Sequence, residues 1–482
     1  PLRPRRRHRH AARRSRTPRL DPRLTTMEAK VIVQDLVTLD RDIARADGAH
    51  RAWRRALAAD PEANAERYPL ENFRHIAAKS TYDALAELAP VAMDLAWRDA
   101  LQRWVAHLLQ ARLAHDADVA LERARHAKSA ILHLDPVTHV SFRESWRGVV
   151  EERSRSRAMA HLTAASEAGD IAGVVQDRAE RRVEVARRLG LTGSHALFAP
   201  APSEGLAFAH AFLDATEDVW VTVWRDAAKR ANLPEPTSPV DAIHFAIARE
   251  AGEGWPAHLA PRWLAEMFEA HLKGIAIDLP PLPTPLGASS FVRALESFGR
   301  AFRVGGDARP LPFAIARDPY FTDKYRLGMV FGALGLNHVF YTRQLGTSAR
   351  VAELQVRMLA RTLLVEARLR AARAILADEF RPPTKDVFEE MTHRVFGAPM
   401  PPSLVRAWPA SHDDEPARIT ALATALPLAR ELVDRFDDDW FRNPRAFESL
   451  RARASLAARD ETPAIAEGAA TALARVFEEA LA

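Results

Sequence analysis

The chain has 482 residues, a formal charge of +5 and no cysteine. The lack of cysteine excludes disulfides and thiolate metal sites, and the length leaves room for two large lobes or one helical body with a deep cleft. No apolar run approaches the roughly 20 residues needed to span a bilayer and no apolar signal-type stretch lies near the N-terminus, so a cytoplasmic protein with no membrane partner is expected.

The charge is unevenly placed. Residues 1–26 hold ten arginines and one acid, Asp21, so this segment carries +9 and the rest of the chain −4. A nucleic-acid partner would call for a basic face on the folded body, and none is expected. The Arg/Pro-rich segment is too polar to bury a core and is read as a disordered tail. Met27 is the expected start of translation, with the preceding residues an upstream region. A phosphate-binding arm and an arginine-rich targeting presequence are the alternatives. Abundant alanine and a preference for arginine over lysine fit a GC-rich bacterial coding sequence.

From Glu28 to about Leu189 the chain is rich in Ala, Leu, Arg and Glu and poor in Gly, which predicts helices almost throughout. Tyr82, Leu85, Leu88, Ala92, Leu95 and Asp99 trace one face at helical spacing, apolar until its last member. Pro61, Pro69, Pro90 and Pro136 mark turns or kinks. Gly190 reads as a helix C-cap, and Pro200 and Pro202 follow in a short loop. The boundary between an N-terminal half, residues 27–200, and a C-terminal half, residues 201–482, is placed there. A proline-rich loop from Leu279 to Gly287 then leads into a helix over Phe291–Arg303, and breaks at Pro382–Pro383 and Pro399–Pro402 set off the last helices. No segment alternates with period two long enough for a large sheet. The fold class is all-α, a large helical clam-shell with a central cleft and little or no β-structure.

On the Phe291–Arg303 helix, Phe291, Leu295, Phe298 and Phe302 form a stripe for burial. Glu296 and Arg300 stand four apart on another face, acid first, the favourable order for a helical ion pair of about 0.2–0.5 kcal/mol when exposed. Leu295-Glu296-Ser297-Phe298-Gly299-Arg300-Ala301 has the outline of the zinc-peptidase sequence L-H-E-x-G-H-A, in which two histidines one turn apart hold Zn²⁺ and the glutamate activates water. Glu296 and Arg300 take the histidine positions here, and Ser297 the general-base position. Further on come Lys324-Tyr-Arg-Leu-Gly-Met-Val-Phe-Gly-Ala-Leu, then Asn337-His-Val-Phe-Tyr-Thr-Arg-Gln-Leu-Gly, then a long helix to about Leu376. The inward stripe of that helix is Leu354, Met358, Thr362, Val365, Leu369, Ala372 and Leu376. Asp438-Asp-Trp-Phe-Arg-Asn-Pro-Arg-Ala follows near the end.

In this order and spacing, over roughly residues 140–455, the chain resembles the thimet oligopeptidase and oligoendopeptidase family of zinc metallopeptidases. The resemblance implies a second zinc helix about 25 residues after the first, and places the third-ligand position at or beside Tyr325, with Asp323 two residues early. It implies a closing D-W-W-R-N-P segment, matched by the stretch from Asp438. It also implies a tyrosine-rich stretch that stabilises the oxyanion, where this chain reads His412-Asp-Asp-Glu-Pro-Ala-Arg-Ile-Thr-Ala. Zinc ligands, general base and oxyanion tyrosine are missing together, so the expectation is a degenerate member with no catalytic residues, no metal and no cofactor. Glu296, Ser297, Arg300 and Tyr325 mark the degenerate site.

Other constellations carry less. Glu390-Met-Thr-His393 has the E-x-x-H spacing of di-iron bundles but no second copy, and Glu71 with His75 reads as a helix-surface pair. The tryptophans, among them Trp53, Trp97, Trp104, Trp220, Trp224 and Trp440, read as core. His107, His115, His126, His133 and His139 read as a solvated helix face. The expected function is a pseudopeptidase that holds a peptide or a partner protein, such as a catalytically intact relative, in its cleft. The alternative is an enzyme of altered, metal-independent chemistry on a peptide or small metabolite, with Glu296, Tyr325 and His338 as acid/base candidates.

Overall fold

The computed structural model describes residues 36–66, 68–88, 95–131, 138–142, 144–145, 155–198, 202–230, 254–272, 286–305, 311–377, 383–405, 414–453 and 464–482. The expectations for the 1–26 tail, the turns at Pro90, Pro136 and Pro200, the 279–285 loop and His412 lie outside these residues, as do those for the side chains of His133 and His139.

The described residues are all-α apart from a short ribbon. Its strands, β1 (Ser129–Ile131) and β2 (Thr138–Val140), are antiparallel with Ala130 opposite His139. The longer helices are α1 (Leu36–Ala59), α2 (Lys79–Glu87), α3 (Leu95–Leu113), α4 (His115–His126), α5 (Arg155–Ala168), α6 (Ile171–Arg188), α7 (Pro202–Ala215) and α8 (Glu217–Arg230). They continue as α9 (Ala260–His271), α10 (Ala288–Gly305), α11 (Asp323–Gly332), α12 (Ala349–Leu376), α13 (Lys385–Phe396), α14 (Glu415–Phe436), α15 (Pro444–Arg453) and α16 (Ala469–Leu481). Sequence periodicity placed one apolar face across 82–99. In the structure α2 ends at Glu87, α3 starts at Leu95, Leu85 is buried and Leu95 is exposed.

Burial gathers in three large clusters. One joins α1–α4 to Ala314 and Ile315. Its seam is polar: Asp40 accepts from Phe313 N and Ala314 N, each at 2.8 Å, and Trp104 Nε1 donates to Ala314 O at 3.1 Å. Paired backbone groups at such a junction avoid the cost of burying them bare. A second cluster is aromatic and unites α9–α11, α14 and α15 through Phe298, Phe302, Phe331, Trp440 and Phe447. The third wraps α4–α8, α13, α14 and α16 around α12. The predicted stripe of α12 is buried at Thr362, Val365, Leu369, Ala372 and Leu376 and only half-buried at Leu354 and Met358. Helices pack around α12 on several sides, so further positions, from Ala352 to Ala374, are buried as well.

One of these, Arg368, is fully buried. It donates to Leu213 O at 3.0 Å, Thr216 Oγ1 at 2.6 Å and Glu217 Oε2 at 2.7 Å, and also to Arg394 O. Four acceptors on its two terminal nitrogens offset much of what burying this charge would cost.

Two glycines set the spacing of the site helices. A Cβ on Gly299 of α10 would stand 2.6 Å from Leu327 O, and one on Gly328 of α11 would stand 2.8 Å from Glu296 O. The two backbones therefore touch, which only residues without a side chain allow at this density. Behind the contact lies the predicted stripe: Phe291, Leu295, Phe298 and Phe302 are all fully buried.

Candidate functional site

The close contact of α10 and α11 brings Glu296, Ser297, Arg300 and Tyr325 into one polar seam, which α12 and α14 cover. The seam has two parts.

The first part is centred on Tyr325. Its hydroxyl donates to Asp414 Oδ2 at 2.5 Å, and Arg418 Nε lies 3.1 Å from Asp414 Oδ1. The guanidinium of Arg418 also stands over the Tyr325 ring, 5.3 Å from its centre, and the Lys324 ammonium is 5.0 Å from the same centre, within range of cation–π attraction. Burial, and then the charge of Asp414, push the Tyr325 phenol above its ordinary range. It stays a neutral hydrogen-bond donor. Burial lowers the Lys324 ammonium to about 8, helped by Arg300 and Arg418 and opposed by Asp318 and Asp414. Its Nζ donates to the carbonyls of Asp318 and Pro319, each at 3.2 Å. Glu415, almost without exposure, is raised by burial against the pull of Arg373 and Arg418.

The second part corrects the predicted Glu296–Arg300 pair. Arg300 Nη2 donates to Ser297 Oγ at 2.7 Å, and Ser297 Oγ donates to Arg293 O at 2.9 Å. The Glu296 carboxylate faces α12, with Arg370 Nη2 3.5 Å from both of its oxygens. The cause is the neighbour helix. The bare Cα of Gly332 leaves space that the Glu296 side chain fills, since a Cβ there would meet Glu296 Cγ at 2.8 Å. Arg300 remains in the field of Glu296, which opposes the lowering of its pKa by burial.

A cavity opens beside this second part, where the two cores around α12 and α10 meet. It encloses about 670 Å³ of empty space, part of it open to solvent, between α11, α12, α14 and α16. Among the described lining residues the polar side chains are Glu296, Glu366 and Arg370, and the rest is Leu, Ala, Met, Val, Gly and Phe. Glu366 in turn accepts from Arg293 Nη2 at 3.4 Å.

Other predicted positions fall elsewhere. His338 is exposed, its Nε2 3.2 Å from Ala349 O, and is not among the groups that meet at Glu296 or Tyr325. Asp323 is held by Arg303 and Arg326. Glu390 and His393 are exposed on α13. His107, His115 and His126 are half-buried rather than solvated: His107 meets Tyr320 edge-on, His115 stacks on Tyr68, and His126 Nε2 lies 3.1 Å from Ala58 O. The closing segment docks on the stretch after α11, with Asn337 Nδ2 donating to Asp438 O at 2.9 Å and Arg343 Nη1 2.6 Å from Asp439. Among the described residues no three His, Asp or Glu side chains come together as a metal site would require.

Arg370, Glu366, Asp414 and Arg418 were not foreseen as part of the site. Glu366, Arg370 and Arg373 stand four and three apart on α12, a charged row at helical spacing, and that row was the available signal. Asp414 belongs to the very stretch noted for lacking tyrosine. No known family model matches this chain, and no curated protein matches it.

Proposed function

We propose that this chain is a pseudopeptidase in the mould of the thimet oligopeptidase and oligoendopeptidase family, a cytoplasmic protein that holds a peptide or the end of a partner protein without cutting it. The observation that carries this reading is the place of the cavity. It opens beside Glu296, on the helix that resembles the zinc helix, and it is walled by apolar side chains with a few charges at one edge. Ligand sites in proteins have this character of apolar walls with a few placed polar groups. A catalytically intact relative is a natural source of such a partner.

The test is calorimetric titration of the purified chain with a pool of short apolar peptides, beside a quenched-fluorescence cleavage assay and a metal determination on the same sample. Saturable binding without cleavage supports the reading, and stoichiometric zinc with cleavage overturns it. Ala333, an exposed lining residue, offers a control. Ala333→Trp fills the mouth of the cavity and is expected to abolish binding, while surface placement keeps the change in stability within about 0.5 kcal/mol.

A further inference from the structure

Far from the cavity, α1 carries a buried histidine. His50 is 5 % exposed, its ring stacked on Trp53 with centres 5.7 Å apart and edge-on to Tyr68 at 6.1 Å. Tyr68 in turn stacks on His115 of α4 at 4.3 Å and meets Trp53 edge-on at 4.7 Å. These four rings join α1 to α4 through the turn that holds Tyr68.

Among the described residues His50 Nδ1 has no hydrogen-bond partner. A neutral imidazole can present a lone pair there, whereas the protonated ring carries an N–H at both nitrogens. That donor would be buried without an acceptor and would be charged as well, which is costly on both counts. The other histidines around α1 differ. His75 Nε2 lies 3.5 Å from Asp42 and His126 Nε2 3.1 Å from Ala58 O, while His115 reaches Arg112 O at 2.9 Å and Asp116 at 3.0 Å. Each of these has an acceptor for the N–H that protonation adds, so the acid response of this seam falls to His50.

Burial lowers the His50 imidazole from 6.5 to about 4; Arg54 on α1 and Arg182 on α6 add to the lowering, and Asp118 on α4 opposes it. Asp118 is itself bound by Arg178 of α6. Elsewhere around the seam Asp47 pairs with Arg51 and Glu62 with Arg123, while Glu71 and Arg112 act on Tyr68. As the pH falls from 6.5 toward 4, an opened seam binds a proton that the closed seam refuses, so acid favours opening. The rings of His50, Trp53 and Tyr68 belong to the cluster around α1, separate from the one around α12, and separate clusters can open one at a time.

We propose that His50 is a pH-sensitive latch, whose protonation releases α1 and the Tyr68 turn from α4 while the helices around α12 stay closed. The latch is independent of whatever the cavity holds.

The experiment is hydrogen exchange of the full chain, followed by mass spectrometry from pH 8 to 5 and corrected for the intrinsic pH dependence of exchange. Amides of α1 and of residues 68–77 are expected to open about 30-fold more at pH 5 than at pH 8, as the lowered imidazole implies. Amides of α12 should not change. His50→Phe keeps a ring in the stack and cannot titrate, so its α1 amides should lose this rise. An equal rise in wild type and His50→Phe overturns the latch. So does an equal loss of protection in α12, which marks global acid unfolding. A reading that needs no variant comes from NMR titration of ¹³C-labelled histidine in the wild-type chain. The His50 ring should titrate below pH 5, and a midpoint at or above 6.5 overturns the inference.

Discussion

The two parts of the polar seam differ although they lie side by side. Around Tyr325 the contacts are short: Asp414 takes the phenol at 2.5 Å, and Arg418 Nε stands 3.1 Å from its other oxygen. Around Glu296 the charges line a cavity and stand apart, with contacts of 3.4 and 3.5 Å. A buried charge with short bonds is spent on holding helices together, because its loss strands its partners in a medium that solvates them badly. A charge with long contacts gains less from its partner. The difference between the two parts of the seam thus lies in how closely each charge is bonded.

That contrast can be broken, and the largest effect is expected where the bonds are short. Asp414→Ala removes the acceptor of Tyr325 and the nearest anion of Arg418, leaving Glu415 to balance Arg418 beside Arg300 and Lys324. A loss of about 3–5 kcal/mol is expected in urea unfolding. A loss below 1 kcal/mol would mean that water, and not Asp414, solvates the cluster. Tyr325→Phe comes next: the ring stays and only the hydroxyl goes, for about 1–3 kcal/mol by the same measurement. Glu296→Gln, whose contact to Arg370 is 3.5 Å, should cost less by the same measurement than Asp414→Ala. An equal loss there would erase the contrast.

A further effect is a pH slope. Lys324 is lowered from 10.5 to about 8 in the folded chain, so between these pH values the unfolded state holds a proton that the folded state has released. Stability then rises with pH across that window through this group. Below pH 8 both states are protonated and the cost of burying the charge is constant. The difference between wild type and Lys324→Met, followed by urea unfolding from pH 7 to 10, should show this rise. A flat difference would place the ammonium in free contact with water.

Much of the framework was legible in the sequence because helix periodicity is local. The stripe Phe291, Leu295, Phe298 and Phe302 repeats at 3.6 residues, and the structure buries all four. The same locality explains the all-α class, since each helix advertises its own face. The face from Tyr82 to Asp99 failed for the converse reason. A spacing rule carries a face across a break that ends one helix and starts another, and Leu95 emerges exposed.

The site was legible only in part. The grouping of Glu296, Ser297, Arg300 and Tyr325 came from what the family resemblance implies, and the structure places the four side by side. Which charge Glu296 meets did not, for an i,i+4 rule considers one helix alone, whereas a second helix supplies Arg370, 74 residues away. The choice rests on Gly332, whose missing side chain admits the Glu296 carboxylate toward α12. Asp414 lies 89 residues from Tyr325, and no local pattern announces such a bond. The sequence by itself determined helices, their buried faces and the chemical character of the seam, all of which depend on neighbours within a turn or two. Tertiary structure alone decided which charges are satisfied and where a cavity remains, because both depend on how closely separate helices approach.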